Sequence, residues 1–112
     1  MTKEGNIARL IILAASLKGH RLFINARGMA WRKDGSPVRY GFGPNGASDL
    51  IGWTHDGRFA ALEVKTDKGA IRKGQPEFIQ AVLNAGGRAG VVRSVTEAMA
   101  ILEPSKGNTL DE

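Results

Sequence analysis

The chain contains no cysteine. That removes disulfides, thiolate zinc sites, iron–sulfur clusters and cysteine nucleophiles. Histidine is almost as scarce, with two in 112 residues, so a histidine-rich metal site is not available and any metal must rest mainly on carboxylates. Long hydrophobic runs are missing too. The run from Leu10 to Leu17 is far short of the roughly 20 apolar residues that a membrane-spanning helix needs. Standing behind Lys3 and Arg9 and ending Ala14-Ala15-Ser16, it loosely imitates an export signal. Glu4 counts against that reading, and Ile7, Leu10, Ile11, Ala14 and Leu17 recur at helical spacing, as a buried first helix requires. A cytoplasmic protein with no membrane contact is expected.

Acidic charge is the next deficit. Sixteen Lys and Arg stand against 11 Asp and Glu, a net charge of +5, so an acidic partner such as nucleic acid is favoured. The imbalance is local: residues 1–42 hold eight basic and two acidic side chains, whereas residues 43–112 hold eight and nine. A polyanion would land on the first part. The length suits one core and one domain, here residues 1–104, with residues 105–112 as a frayed tail.

The pattern of residues predicts a helix from Thr2 as cap to about Lys18, stopped by Gly19. A strand over 20–27 follows, then a basic hairpin or flap in which Asp34-Gly35 turns between Ala30-Trp31-Arg32 and Val38-Arg39-Tyr40. Strands over 48–54 and 57–66 are joined at His55-Asp56-Gly57 and should pair antiparallel. A helix over about 73–85 carries Phe78, Ile79, Val82 and Leu83 on one face, with Pro76 in its first turn. A short strand over 88–93 and a helix over 95–102, closed by Pro104, complete the chain. The order α-β-flap-β-β-α-β-α is that of an α/β protein with a mixed central sheet flanked by helices.

Chemistry concentrates at Asp49 and at Glu63-Val64-Lys65. Side chains alternate along a strand, so Glu63 and Lys65 share a face with Ala61 while Leu62 and Val64 turn to the core. The turn at His55 to Gly57 folds Asp49 back toward Glu63. Two carboxylates held close in a half-buried place repel, and one takes up a proton unless a cation lies between them. Mg²⁺ suits such a site because it takes oxygen ligands, keeps several waters and accepts phosphate. Phosphodiester hydrolysis needs such a cation, a deprotonated water and a positive group near the developing charge. Asp49, Glu63 and the Val64 carbonyl can hold the metal, and Lys65 can position water or stabilise charge.

Asp49 followed after 13 residues by Glu63-x-Lys65 resembles the PD-(D/E)XK nuclease superfamily. With Glu4, Gly46-Ala47-Ser48-Asp49-Leu50-Ile51-Gly52, Glu63-Val64-Lys65-Thr66, Gln75 and Gly86-Gly87-x-Ala89-x-Val91, the chain resembles the virus-type replication-repair nuclease (VRR-NUC) domain over roughly residues 4–102. Ser48 stands where the superfamily name has proline. The resemblance implies a restriction-endonuclease-like core in a stand-alone domain. It further implies Mg²⁺ or Mn²⁺ on Asp49, Glu63 and the Val64 carbonyl, Glu4 approaching from the first helix, catalytic Lys65, and Gln75 lining the site. The implied activity is cleavage of branched DNA, including Holliday junctions, by a homodimer of phage or bacterial origin.

Each residue also has a plainer reading. Glu63-x-Lys65 can be a strand ion pair, Glu4 can favour the helix dipole, and Gln75 can be a polar helix start. In the flap, Arg27, Arg32, Lys33 and Arg39 interleave with Trp31, Tyr40 and Phe42, a mixture fitted to gripping phosphates and stacking on bases. The alternative is a solvated hairpin whose aromatics pack on the core or on a second subunit. Lys68, Arg72 and Lys73 extend the same DNA-binding surface or form a solvated loop. His20 and His55 receive no functional role. Two rival functions remain, a non-catalytic nucleic-acid-binding module or nuclease subunit that kept the fold, and a small structural protein.

Overall fold

The computed structural model describes residues 2–67 and 69–104. Lys68 and the tail expected over residues 105–112 lie outside them. Helix α1 (Lys3–Leu17) starts where the Thr2 hydroxyl accepts the Gly5 N–H at 2.9 Å, satisfying one of the free donors of the first turn. It is followed by β1 (Arg21–Ile24), β2 (Gly28–Trp31), β3 (Pro37–Tyr40), β4 (Leu50–Trp53), β5 (Phe59–Val64), α2 (Gln75–Asn84), β6 (Arg88–Val92) and α3 (Val95–Leu102). This is the expected α/β architecture. Strands β1, β4, β5 and β6 form the central sheet in that order, antiparallel except for the parallel pair β5–β6. A parallel pair needs a crossover connection, and α2 supplies it.

Helices α1 and α3 cover one face, where Ile11, Leu22, Leu50, Leu62, Val64 and Val92 meet. Helix α2 covers part of the other through Ala61, Val82 and Ala89, with Phe78 and Ile79 beside them. Leu50, Leu62 and Ile11 are fully enclosed, each worth about 1.5–3 kcal/mol relative to an exposed side chain. Strand β5 is consequently buried on both faces, so Glu63 and Lys65 are buried rather than half-buried.

The boundaries and one helix face differ from expectation. Helix α1 buries Ala8, Ile11 and Ala15 with Ile7 and Ile12 packed beside them, and leaves Leu10 and Leu17 exposed. Its apolar residues surround too much of the helix to fix its rotation, and the small Ala8 and Ala15 let the sheet and α3 approach closely. Helix α2 begins at Gln75 rather than at residue 73, because Gly74 takes a left-handed conformation at its cap. Strand β1 ends at Ile24 and β4 begins at Leu50, one residue after Asp49.

The hairpin β2–β3 is a separate two-stranded sheet. Its turn is fixed by the Asp34 carboxylate, which accepts the Ser36 N–H at 2.9 Å and the Ser36 hydroxyl at 2.6 Å. Gly28 pairs with Tyr40 and Trp31 with Pro37, so the first strand starts two residues earlier than the Ala30-Trp31-Arg32 expected. Among the described residues no helix packs broadly against the hairpin, and Trp31 is 70% exposed.

Candidate active site

The turn at His55 to Gly57 sets the register of β4 on β5, with Leu50 opposite Leu62 and Trp53 opposite Phe59. Continued by one residue, the same register puts Asp49 opposite Glu63 on the face that also carries Ala61 and Lys65. Asp49 is fixed from two sides. Its carboxylate Oδ2 accepts the Val64 N–H at 3.1 Å, and its carbonyl accepts the Asn25 N–H at 2.7 Å.

Glu63 is the most enclosed acid of the group, 3% exposed. One carboxylate oxygen, Oε2, accepts the Gln75 amide at 2.8 Å and lies 3.4 Å from the Lys65 ammonium. The other, Oε1, is buried and has no hydrogen-bond partner among the described residues. Burial first, and the neighbouring Asp49 carboxylate second, push the Glu63 carboxyl up to about 7, with Lys65 acting in the opposite direction. The conflict read from the sequence between two close acids is therefore present in the fold.

Gln75 reaches this site because the chain before Asp49 and the start of α2 touch backbone to backbone. A Cβ at Gly46 would fall 2.2 Å from the Gly74 carbonyl oxygen, so only glycine permits the approach. The Gln75 side-chain oxygen Oε1 accepts the Arg72 N–H at 2.7 Å, which orients its amide nitrogen toward Glu63.

The donor set fits a hard divalent cation. Its donors are oxygens, two carboxylates face one another, and one buried carboxylate oxygen has no partner among the described residues. Among the described residues no three His, Cys, Asp or Glu side chains gather as a metal cage. Glu4 is exposed on the first turn of α1 and lines, with Asp49, Val64 and Asn25, a cleft of about 210 Å³. It shares the cleft without joining the carboxylate pair. Backbone carbonyl, water and phosphate oxygens would complete the sphere, a division of ligands that suits Mg²⁺.

The basic residues expected on DNA divide into two groups. Arg27 donates to the Asn45 carbonyl at 2.9 Å, Arg39 to the Asn45 side chain, and Arg32 to the Pro37 carbonyl at 3.1 Å. These three guanidinium groups brace the hairpin and the loop beneath it. Lys33, Arg72 and Lys73 are exposed. Trp31 and Tyr40 do not pack on the core, whereas Phe42 lies 5.8 Å from the Phe59 ring, centroid to centroid.

Three residues support the site or the fold; Asn25 and Arg93 were not anticipated from the sequence, and His20, given no functional role there, is structural. Asn25 is buried between β1 and the loop before Asp49. Arg93 donates to the Thr66 carbonyl, and to that of Gly69 at 3.3 Å, holding the segment that follows Lys65. His20 is fully buried, its Nδ1 accepting the His55 N–H at 3.0 Å and its Nε2 lying 2.9 Å from Glu103. Asn25 carried a signal, a short amide at a strand exit just before a glycine-rich segment. The other two bond to partners far along the chain and carried none.

Residues 12–96 match the family model of the VRR-NUC domain. The matched span contains Asp49, Glu63, Lys65 and Gln75 and begins after Glu4. No curated protein matches the chain.

Proposed function

The chain belongs to the VRR-NUC family, whose membership implies a nuclease-type function on DNA, and on that premise we propose a Mg²⁺- or Mn²⁺-dependent endonuclease that hydrolyses phosphodiester bonds in branched DNA. The observation that carries this reading is the buried Glu63 carboxylate, set opposite Asp49 by the strand register, with one oxygen lacking a partner among the described residues and the other 3.4 Å from the Lys65 ammonium. Asp49, Glu63 and the Val64 carbonyl would hold the cation, with Glu4 available from the cleft. When bound, the metal supplies charge neutralisation at the phosphoryl oxygens and lowers the pKa of a bound water.

The remaining tasks fall to the protein. Gln75 keeps one Glu63 oxygen turned toward Lys65, leaving the other for the metal. Lys65, 6% exposed, presents its amine where it can orient water or steady the charge that develops on the attacked phosphoryl group. Lys33, Arg72 and Lys73 attract the backbone, and Trp31 and Tyr40 offer rings for unpaired bases. Arg27, Arg32 and Arg39 support that surface. A four-way junction has two-fold symmetry and needs two cuts, so a homodimer of one-site chains matches it. Among the described residues no helix is long and apolar enough to cross a membrane, and we place the activity in the cytoplasm of a bacterium or phage-infected host.

A non-catalytic module would be expected to have lost part of the Asp, Glu and Lys set, and all three are present. Linear, flapped and four-way DNA incubated with and without Mg²⁺ provide the test. Cleavage of the branched forms that requires metal and disappears in Lys65→Ala and Asp49→Asn, with DNA binding retained in Lys65→Ala, supports the proposal. Full cleavage by both variants removes the site assignment, and cleavage without any divalent ion removes the metal.

A further inference from the structure

We infer that Asn25 is a positioning residue that ties the base of the basic hairpin to Asp49, so that DNA held by the hairpin and metal held by the carboxylates reinforce one another. The metal and DNA half of this inference rests on the proposed function. The structural half stands on four hydrogen bonds.

Asn25 follows β1 directly and is 9% exposed. Its Oδ1 accepts the Phe42 N–H at 2.9 Å, and its Nδ2 donates to the Phe42 carbonyl at 2.9 Å and to the Ser48 carbonyl at 3.1 Å. Its backbone N–H donates to the Asp49 carbonyl at 2.7 Å. One primary amide thus engages both polar groups of Phe42, as a neighbouring strand would, while two further donors hold successive carbonyls at 48 and 49. Aspartate has the side-chain acceptor without the Nδ2 donors, and leucine has the same outline without either, while both keep the backbone N–H to Asp49.

What Asn25 joins has little regular support of its own. Residues 41–49 contain no helix or strand. Phe42 lies two residues beyond β3, at the root of the hairpin, and Asp49 lies one residue before β4. A shift of the hairpin therefore acts on Phe42, through the Asn25 amide, and on the backbone that aims the Asp49 carboxylate. Coupling of this kind is reciprocal: the factor by which metal tightens DNA binding equals the factor by which DNA tightens metal binding.

The test uses Asn25→Leu, which keeps the side-chain size, and hydrogen exchange read by mass spectrometry. Exchange over 41–49 should rise at least about tenfold while β5 and β6 keep their protection. The Mg²⁺ concentration giving half-maximal cleavage should rise about 10- to 100-fold, as supporting residues of metal sites typically require. A merely structural role would lower the melting temperature and leave that concentration unchanged for the folded protein. In a Lys65→Ala background, the Mg²⁺-induced tightening of DNA binding should shrink toward onefold when Asn25→Leu is added.

Should the leucine variant fail to fold, the unaltered protein still decides, because Mg²⁺ should increase protection of the Phe42 amide. Unchanged exchange over 41–49 in a folded variant, or a Phe42 amide indifferent to bound Mg²⁺, overturns the inference. A parent protein that binds no Mg²⁺ by calorimetry overturns the proposed function instead. Exchange in the variant then judges the structural tie alone.

Discussion

Replacing Glu63 by glutamine should make the metal-free protein more stable at pH 8 while destroying its proposed activity. Folded Glu63 keeps its proton up to about 7, against an ordinary value of 4.5. Between those values the folded state binds more protons than the unfolded one, so stability falls as pH rises. Below 4.5 the deficit is absent, and above about 7 it is complete. At about 1.4 kcal/mol per pH unit the full deficit is about 3 kcal/mol. Glutamine removes it and can donate to Asp49, but strands the Lys65 ammonium that now lies 3.4 Å from a carboxylate. Offsetting that loss leaves a net gain of about 1–2 kcal/mol, or about 4–8 °C in Tm for a chain of this size. Calorimetric unfolding in a chelator between pH 5 and pH 8 measures both quantities. The parent should lose stability across that range by about 2 kcal/mol more than Glu63→Gln. Adding Mg²⁺ at about 100 times its Kd should raise the parent by about 2.7 kcal/mol and the variant by much less. A variant less stable than the parent at pH 8, with the same pH slope, would show that the two acids are not in conflict.

Three other outcomes follow from the geometry. Lys33→Ala should reduce the slope of log K against log salt by about 0.9 if Lys33 meets one duplex phosphate, whereas Arg27→Ala should chiefly raise protease sensitivity near residues 44–45; equal slope losses would refute the division between free and bracing cations. Trp31→Ala should weaken single-stranded or flapped DNA by about 1–3 kcal/mol in a fluorescence titration and leave Tm within about 1 °C, as befits an exposed ring. His20→Ala should lower stability by about 2–4 kcal/mol in urea unfolding, because removing the fully buried ring leaves a cavity and takes the acceptor from the His55 N–H. A loss under about 1 kcal/mol would mean water replaces the ring without penalty.

Much of the geometry of the candidate site was readable from the sequence. Period-two alternation put Glu63 and Lys65 on one face, and the Asp56-Gly57 turn fixed the register that sets Asp49 opposite Glu63. Turn chemistry and helix caps likewise located most elements to within a few residues. Rotation of α1 was not readable, since Leu10, Leu13 and Leu17 are as apolar as the residues it buries. Neither was the bracing role of Arg27 and Arg39, because a guanidinium that meets a backbone carbonyl looks in sequence like one awaiting phosphate. Arg93 and His20 act on partners far along the chain, where spacing carries no geometric information.

Strand β5 has helices packed against both of its faces and a strand on each edge, and every residue in it but Phe59 is buried. Such an interior element opens only when the whole fold opens, so Glu63 within it and Lys65 just past its end form a die that yields little to what it meets. On the proposed reading, the nucleic acid must do the bending. Continuous duplex has a persistence length of about 150 base pairs and resists, whereas nicked, flapped and branched forms articulate at small cost. Preference among substrates can then arise from the compliance of the DNA, without a single base being read.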